Sequence, residues 1–425
     1  MPATPMKNLI YRAALPMIAS SVRGRLTLHT SGHALADEAS LLRVLVKNHV
    51  HGACVLLTDG NNAARCDASV TSGEHQKTAA ADTVYRVASI TKTAAALVAL
   101  RFADSSLFCG AEAFPGDIAR NSQNKLSDRS SVSFSNTGLF SLDESITNLL
   151  PHGEGSHLLE GVTLRHLLSH TSGLRDTPAL DAALARGDSF HSVLTSPGCV
   201  VGKPGDNFAY SNFGFGLIGC IIEHVTGKPV SQVFDEVLFK PLGMRATLDG
   251  STLDEHLIMP ITRILSRRKQ KDVTITRLGR IPLDKPDPLR HFGHTAGAMY
   301  TDAPSLSRML SLIAQEGKWE GRQLISPESI RMMTREHASY GALSPTMRYG
   351  LGLILIDDPS LSEHTIIGHQ GFAYGCVDGA FMECETGRQV ISLNGGASEA
   401  RIGRIGCVNL DMLRYALRKE MCQWK

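Results

Sequence analysis

Several features that would settle the class of this chain at once are missing from it. Its 9 cysteines in 425 residues form no C-x-x-C pair and no even framework. That excludes a zinc ribbon and a disulfide-stapled scaffold, and leaves free thiols in a reducing compartment or buried small hydrophobes. No uncharged apolar run reaches the roughly 18 residues that a membrane helix needs. Basic and acidic residues nearly balance, 43 against 41, for a formal net charge of +2. No global field therefore draws the chain to nucleic acid or to an acidic membrane. Aromatic residues are scarce at 6%. The basic stretch from Ser266 to Arg290 lacks the interleaved rings on which bases would stack, and it reads as a solvated connector. Near the N-terminus, Leu9 to Ser21 is moderately apolar, but Arg12 interrupts it and no small-residue cleavage site stands out. It does not read as a signal peptide, and a cytoplasmic location is expected.

What is present is an ordinary globular composition, 43% hydrophobic and 20% charged, in a chain long enough for two lobes. Its organising stretch is Val84-Tyr85-Arg86-Val87-Ala88-Ser89-Ile90-Thr91-Lys92, followed by an Ala-rich apolar run. A β-prone segment thus feeds the first turn of a buried helix that is expected to run to about Asp104. Ser89 and Lys92, three apart, share one helix face. A serine hydroxyl becomes a nucleophile when a neighbour takes its proton, and a neutral lysine amine can do so. Neutrality at pH 7 requires about 4–5 kcal/mol of environmental bias against a free lysine. The S-x-x-K pattern alone decides little. It recurs at Ser122/Lys125 and Ser266/Lys269, both in polar or basic tracts where the lysine cannot be buried. For Ser89 and Lys92 the plain alternative is a helix-capping serine and a surface lysine.

Two other patterns invite readings that their surroundings weaken. His166 and His170 are four apart, but Leu167 stands where a zinc protease would carry glutamate, so they are expected to pack and hydrogen-bond the turn Thr171-Ser172-Gly173. Gly214-x-Gly216-x-x-Gly219 matches a dinucleotide fingerprint without the apolar strand that should precede it. The glycines are expected instead to let a helix pack closely behind Tyr210. No metal and no cofactor is implied.

Taken with the Ser89 stretch, the runs Leu164-Arg165-His166-Leu167-Leu168-Ser169-His170-Thr171-Ser172-Gly173-Leu174, Tyr210-Ser211-Asn212 and Gly368-His369-Gln370-Gly371 carry a family likeness. Over roughly residues 40–415 the chain resembles the serine β-lactamase-related family. That family comprises class C β-lactamases, low-molecular-weight penicillin-binding proteins, D-amino-acid peptidases and esterases. The resemblance implies an α+β fold, with an antiparallel sheet flanked by helices and a mostly helical second lobe. Residues 36–104 and 293–425 would form the first lobe and 105–292 the second, with an insertion at 105–137 and an N-terminal extension at 1–35. It implies Ser89 as nucleophile, with Lys92 and Tyr210 as a coupled base. Asn212 would hold Lys92 and bind substrate. The backbone N–H groups of Ser89 and Phe372 would form the oxyanion hole.

The third motif departs from the penicillin-recognising pattern, because K-T-G is absent. H-x-G occurs at His291-Phe292-Gly293 and at His369-Gln370-Gly371, and the second lies where the site-lining strand belongs. His369, Gln370, Gly371 and Phe372 are therefore expected to line the substrate, with Gly371 admitting a close backbone approach. A histidine mostly neutral at pH 7 tilts the substrate toward esters, amides or peptides without a carboxylate at that point. A β-lactamase, a D-alanyl-D-alanine carboxypeptidase and a sensor domain that acylates without turnover are the rival readings.

Overall fold

A computed structural model describes residues 25–32, 37–59, 63–71, 79, 82–104, 139–263, 268–269, 282–341 and 345–417. The Ser122/Lys125 pair, the insertion at 105–137, and most of the basic connector with Ser266 lie outside the described residues.

The centre is a nine-stranded sheet. Its strands in chain order are β1 (Arg25–Gly32), β2 (His51–Thr58), β3 (Ala63–Thr71), β4 (Ala338–Gly341), β5 (Thr346–Tyr349), β6 (Ile354–Asp357), β7 (Ile366–Ala373), β8 (Cys376–Glu383) and β9 (Gln389–Gly396). Side by side they run β1-β3-β2-β9-β8-β7-β6-β5-β4, with every pairing antiparallel. The two ends of the chain meet where β2 pairs β9, with Val55 opposite Ser392. Alternation explains how both faces are filled. Ala53, Val55, Leu57, Val377 and Phe381 enter one apolar cluster, while Cys54, Leu56, Ala380, Met382, Ile391 and Leu393 enter the other. Helices α1 (Glu38–Lys47) and α6 (Cys407–Ala416) cover the first face. Helices α2 (Thr91–Ala103) and α5 (Ala303–Ala314) lie against the second, together with α3 (Leu164–Leu168) and α4 (Asn212–Thr226) from the middle of the chain.

Three local features complete the picture. Within the expected N-terminal extension, residues 25–32 form an edge strand on β3. Tyr85–Arg86 does not extend the main sheet; it pairs Tyr300–Thr301 in a separate three-stranded sheet. The run from Gly350 to Ile356 is not one strand, because Gly352 adopts φ +69° and a turn separates β5 from β6. Among the described residues no helix is long and apolar enough to cross a membrane.

The central helix, α2, is buried along its length from Thr91 to Phe102. Alanines at 94, 95, 96 and 99 let neighbours come close: a Cβ on Gly352 would crowd Ala96 and the Lys92 carbonyl. Burial all round, rather than an amphipathic stripe, fits a helix at the junction of the sheet and the helical segments. That placement takes Lys92 out of water.

Candidate active site

Ser89 sits in a one-turn 3₁₀ segment, Ala88–Ile90, that leads directly into α2. It is half-buried, whereas both its neighbours are buried. Ala88 is held at φ +45°, a sparsely populated conformation for a residue with a side chain. The turn is over-determined by its surroundings: Val87 N–H donates to the Met299 carbonyl at 3.0 Å, and the Thr91 hydroxyl donates to the Ala88 carbonyl at 2.6 Å.

Lys92, one helical turn on, is fully buried. Its Nζ lies 3.1 Å from Ser89 Oγ, 2.8 Å from Asn212 Oδ1 and 2.6 Å from the Ala296 carbonyl oxygen. Burial pulls its pKa down from 10.5 to about 7; Asp176 opposes that shift and Arg86 assists it. At neutral pH the amine is thus substantially free of its third proton. A neutral amine has two N–H donors and one lone pair. Asn212 Oδ1 and the Ala296 carbonyl can only accept, so they take both donors. The lone pair is left to the third neighbour, Ser89, whose hydroxyl becomes the donor.

Asn212 opens α4, whose N-cap is Ser211. The glycines behind it pack as expected: a Cβ on Gly216 would overlap the Phe292 carbonyl oxygen, and one on Gly219 would press on Thr295. This close contact holds the segment 291–297, which supplies the Ala296 acceptor, against α4. Tyr210 precedes the helix, with the Lys92 Nζ 5.0 Å from its ring centroid. Its ring packs on His170 at 4.2 Å between centroids. His170 Nδ1 accepts from the Ser211 N–H, and His166 Nδ1 accepts from the Thr163 N–H, so each histidine fixes a separate piece of backbone. Among the described residues no group of three or more His, Cys, Asp or Glu side chains is placed to hold a metal ion.

Strand β7 runs beside the Ser89 turn. Its pairing with β6 ends at Gly368, so among the described residues no strand covers 369–373 on that side. Gly371 is the point of closest approach: an added Cβ would overlap the Val87 carbonyl oxygen. The tight contact that requires glycine is therefore with the turn that carries Ser89.

Two expectations for β7 need correction. His369 is buried, with Nδ1 2.8 Å from the Gln370 carbonyl and Nε2 3.0 Å from the Tyr349 hydroxyl. The carbonyl must accept, so Nδ1 carries the proton and Nε2 accepts from Tyr349. Burial, with the nearby Lys92 adding to it, pushes its pKa down to about 3. A ring so enclosed and neutral cannot read a substrate carboxylate. Gln370 turns to the other face, where Nε2 donates to the Arg404 carbonyl at 2.7 Å and Oε1 accepts from the Gly406 N–H at 3.0 Å. The ring of Phe372, on that same face, lies under the Arg401 guanidinium at 3.6 Å. Of the residues expected on this strand, Gly371 is the one in close contact with the Ser89 turn. His369→Lys is accordingly expected to lower stability by about 3 kcal/mol or more, since it buries an unpaired ammonium in place of a neutral ring. Activity on neutral and anionic substrates should fall together, and thermal unfolding alongside paired kcat/KM values would show it.

Sequence reasoning missed two groups that complete the site. Asp176 accepts from Asn212 Nδ2 at 2.7 Å and from the Phe213 N–H at 2.9 Å. Its only signal was an acidic residue just after Thr171-Ser172-Gly173-Leu174. Ala296 acts through its backbone, for which side-chain patterns carry no signal.

A seryl hydroxyl bonded to a buried amine at a helix entrance, beside a tyrosine and an asparagine, is the arrangement expected from the motif order. Comparison with known proteins assigns the family and the fold. The beta-lactamase family model matches residues 39–382. The chain belongs to the beta-lactamase family. An uncharacterized Mycobacterium tuberculosis protein is 25% identical over 233 residues, 47% of this chain and 53% of that protein. The matched region spans 53% and 57% of two such curated relatives and 23% of another. Among solved structures, a penicillin-binding protein homologue from Caulobacter crescentus aligns with TM-score 0.62 and 19% identity, covering 92% of this chain and 100% of its own. A D-stereospecific amidohydrolase from Streptomyces aligns at 0.59 and 22%, covering 90% and 99%. A D-amino acid amidase from Ochrobactrum anthropi aligns at 0.61 and 20%, covering 89% and 97%. At these identities the likeness establishes the fold.

Proposed function

We propose that this member of the beta-lactamase family is a metal-free serine hydrolase of small esters or D-amino-acid-type amides. The observation that carries the reading is the buried Lys92, whose Nζ lies within hydrogen-bond reach of Ser89 Oγ, Asn212 Oδ1 and the Ala296 carbonyl. In the proposed reaction the Ser89 proton passes to Lys92, and Oγ attacks the substrate carbonyl. The oxyanion is held by the N–H groups of Ser89 and Phe372, each worth about 3–4 kcal/mol in sites of this kind. As the tetrahedral intermediate collapses, the leaving alcohol or amine takes the proton and an ester to Ser89 remains. Water then loses a proton to the Lys92–Tyr210 pair, attacks that ester and releases the acid, and the proton returns to Ser89.

The amide half of the proposal draws on the amidohydrolase and amidase neighbours, the ester half on the neutral β7. With His369 enclosed, this strand offers no cationic side chain in the place of a K-T-G lysine, which disfavours the β-lactamase and carboxypeptidase readings. A panel of p-nitrophenyl esters, D-amino-acid amides and a cephalosporin tests the assignment. Turnover of esters or amides should exceed that of the cephalosporin; a reversed order would move the protein to the β-lactamases. A burst without steady turnover on every class would make it a sensor. Tyr210→Phe should lower kcat by on the order of 10²–10⁴ while keeping the ring on His170, a comparison made by steady-state kinetics and thermal unfolding.

A further inference from the structure

The direction in which Lys92 points its lone pair depends on which way round the Asn212 amide sits. With Oδ1 toward Lys92, the asparagine accepts an N–H and frees the lone pair for Ser89. Reversed, Nδ2 would face the amine as a donor and compete with Ser89 for that lone pair. Within the described structure the group that separates these states is Asp176, whose carboxylate can only accept. Its Oδ2 takes the Asn212 Nδ2–H at 2.7 Å, and its Oδ1 takes the Phe213 N–H at 2.9 Å. Ser211 Oγ lies 3.4 Å from Oδ1. The result is a directed chain from Asp176 through Asn212 to Lys92 and Ser89.

We propose that Asp176 is a positioning residue: acting through Asn212, it orients the Lys92 amine onto Ser89. The inference rests on the reading of Ser89 and Lys92 given above and extends it to a residue outside the family motifs quoted for this chain. The other titratable or charged groups around Lys92 are few. Arg86 opposes the ammonium, and Tyr210 presents its ring. His170, His294 and His369 are all buried, and burial holds each of them neutral. Asp176 is the carboxylate that counters burial at Lys92. A purely structural role is the alternative, because the bond to the Phe213 N–H also caps α4.

The charge separates the two roles. Asp176→Asn keeps one acceptor and removes the charge; Asp176→Ser keeps a hydroxyl acceptor and serves if the first variant does not fold. The test uses the full chain with ¹⁵N-lysine labelling, the Lys92 side-chain signal being assigned by its loss in Lys92→Met. The expected result is a Lys92 titration midpoint at lower pH in either variant. kcat/KM for a p-nitrophenyl ester should fall by about 10-fold or more, the scale for losing a partner to a buried polar group. The acid limb of its pH profile should move to lower pH as well. Asp176→Glu, which keeps the charge, should leave the midpoint near that of the parent. An unmoved midpoint in the folded Asn or Ser variant would reduce Asp176 to a helix cap and overturn the proposal. The NMR readout needs no substrate. A moved midpoint in a protein whose Ser89 is never acylated would therefore refute the hydrolase reading and leave the Asp176 inference standing.

Discussion

Ser89→Ala is expected to lose esterase or amidase turnover by on the order of 10⁴-fold or more, because no acyl-enzyme can form. The substitution should leave the fold intact. Ser89 is half-buried, and the turn around it is held by the Val87 N–H and the Thr91 hydroxyl rather than by the serine. Removing Oγ deprives Lys92 of one neighbour but leaves Asn212 and Ala296 bonded to it. Unfolding midpoints of the two proteins should agree closely while their rates differ by orders of magnitude. A variant that turns over at the parental rate would mean that another residue is acylated.

Lys92→Met should abolish activity and at the same time stabilise the protein. In solution the amine holds its proton up to about pH 10.5, but in the folded chain it releases it near 7. Between those values the unfolded chain binds more protons, so stability falls as pH drops from about 10.5 to about 7, and the full cost applies below that. A depression of this size corresponds to about 5 kcal/mol. Two acceptors left unpaired by the substitution, Asn212 Oδ1 and the Ala296 carbonyl, return about 1–3 kcal/mol each. A net gain of about 1 kcal/mol, and at most about 3, is expected at pH 7, shrinking as the pH is raised toward 10. Denaturant titrations at pH 7 and pH 10 measure it. A variant less stable than the parent at pH 7 would show that the burial of Lys92 carries no such cost. Exchanging activity for stability is the behaviour of a site that holds a group against its solution preference.

The same two residues were the most legible part of the chain. An S-x-x-K at the head of an apolar helix differs from the same letters in a polar tract because only burial can neutralise the lysine, and α2 is buried throughout. The Gly214, Gly216 and Gly219 pattern was legible as close packing for a similar reason: a helix without side chains at those points can take another backbone against it. The sheet was readable in β2, β8 and β9, whose apolar runs have the length of strands buried on both faces.

What resisted reading depends on which way a side chain turns and on partners far along the chain. His369 lies on a strand beside the Ser89 turn, yet its ring is enclosed by Tyr349, twenty residues earlier, across the intervening strand β6. Gln370 follows the pleat to the opposite face. Val84 to Val87 reads as β-prone, but the strand it makes belongs with Tyr300–Thr301, a pairing set by the turn at Ala88. Asp176 lies 36 residues before Asn212, and only the folded chain brings the two together.

The central claim is that a substrate acyl group passes through Ser89. It is met most directly by acid-quenching the protein during turnover of a slow ester and locating the adduct by peptide mass mapping. The account predicts one acyl group per chain, on the peptide containing Ser89 and on the serine oxygen itself. An adduct on any other residue, or rapid turnover with no adduct trapped at any quench time, would contradict it.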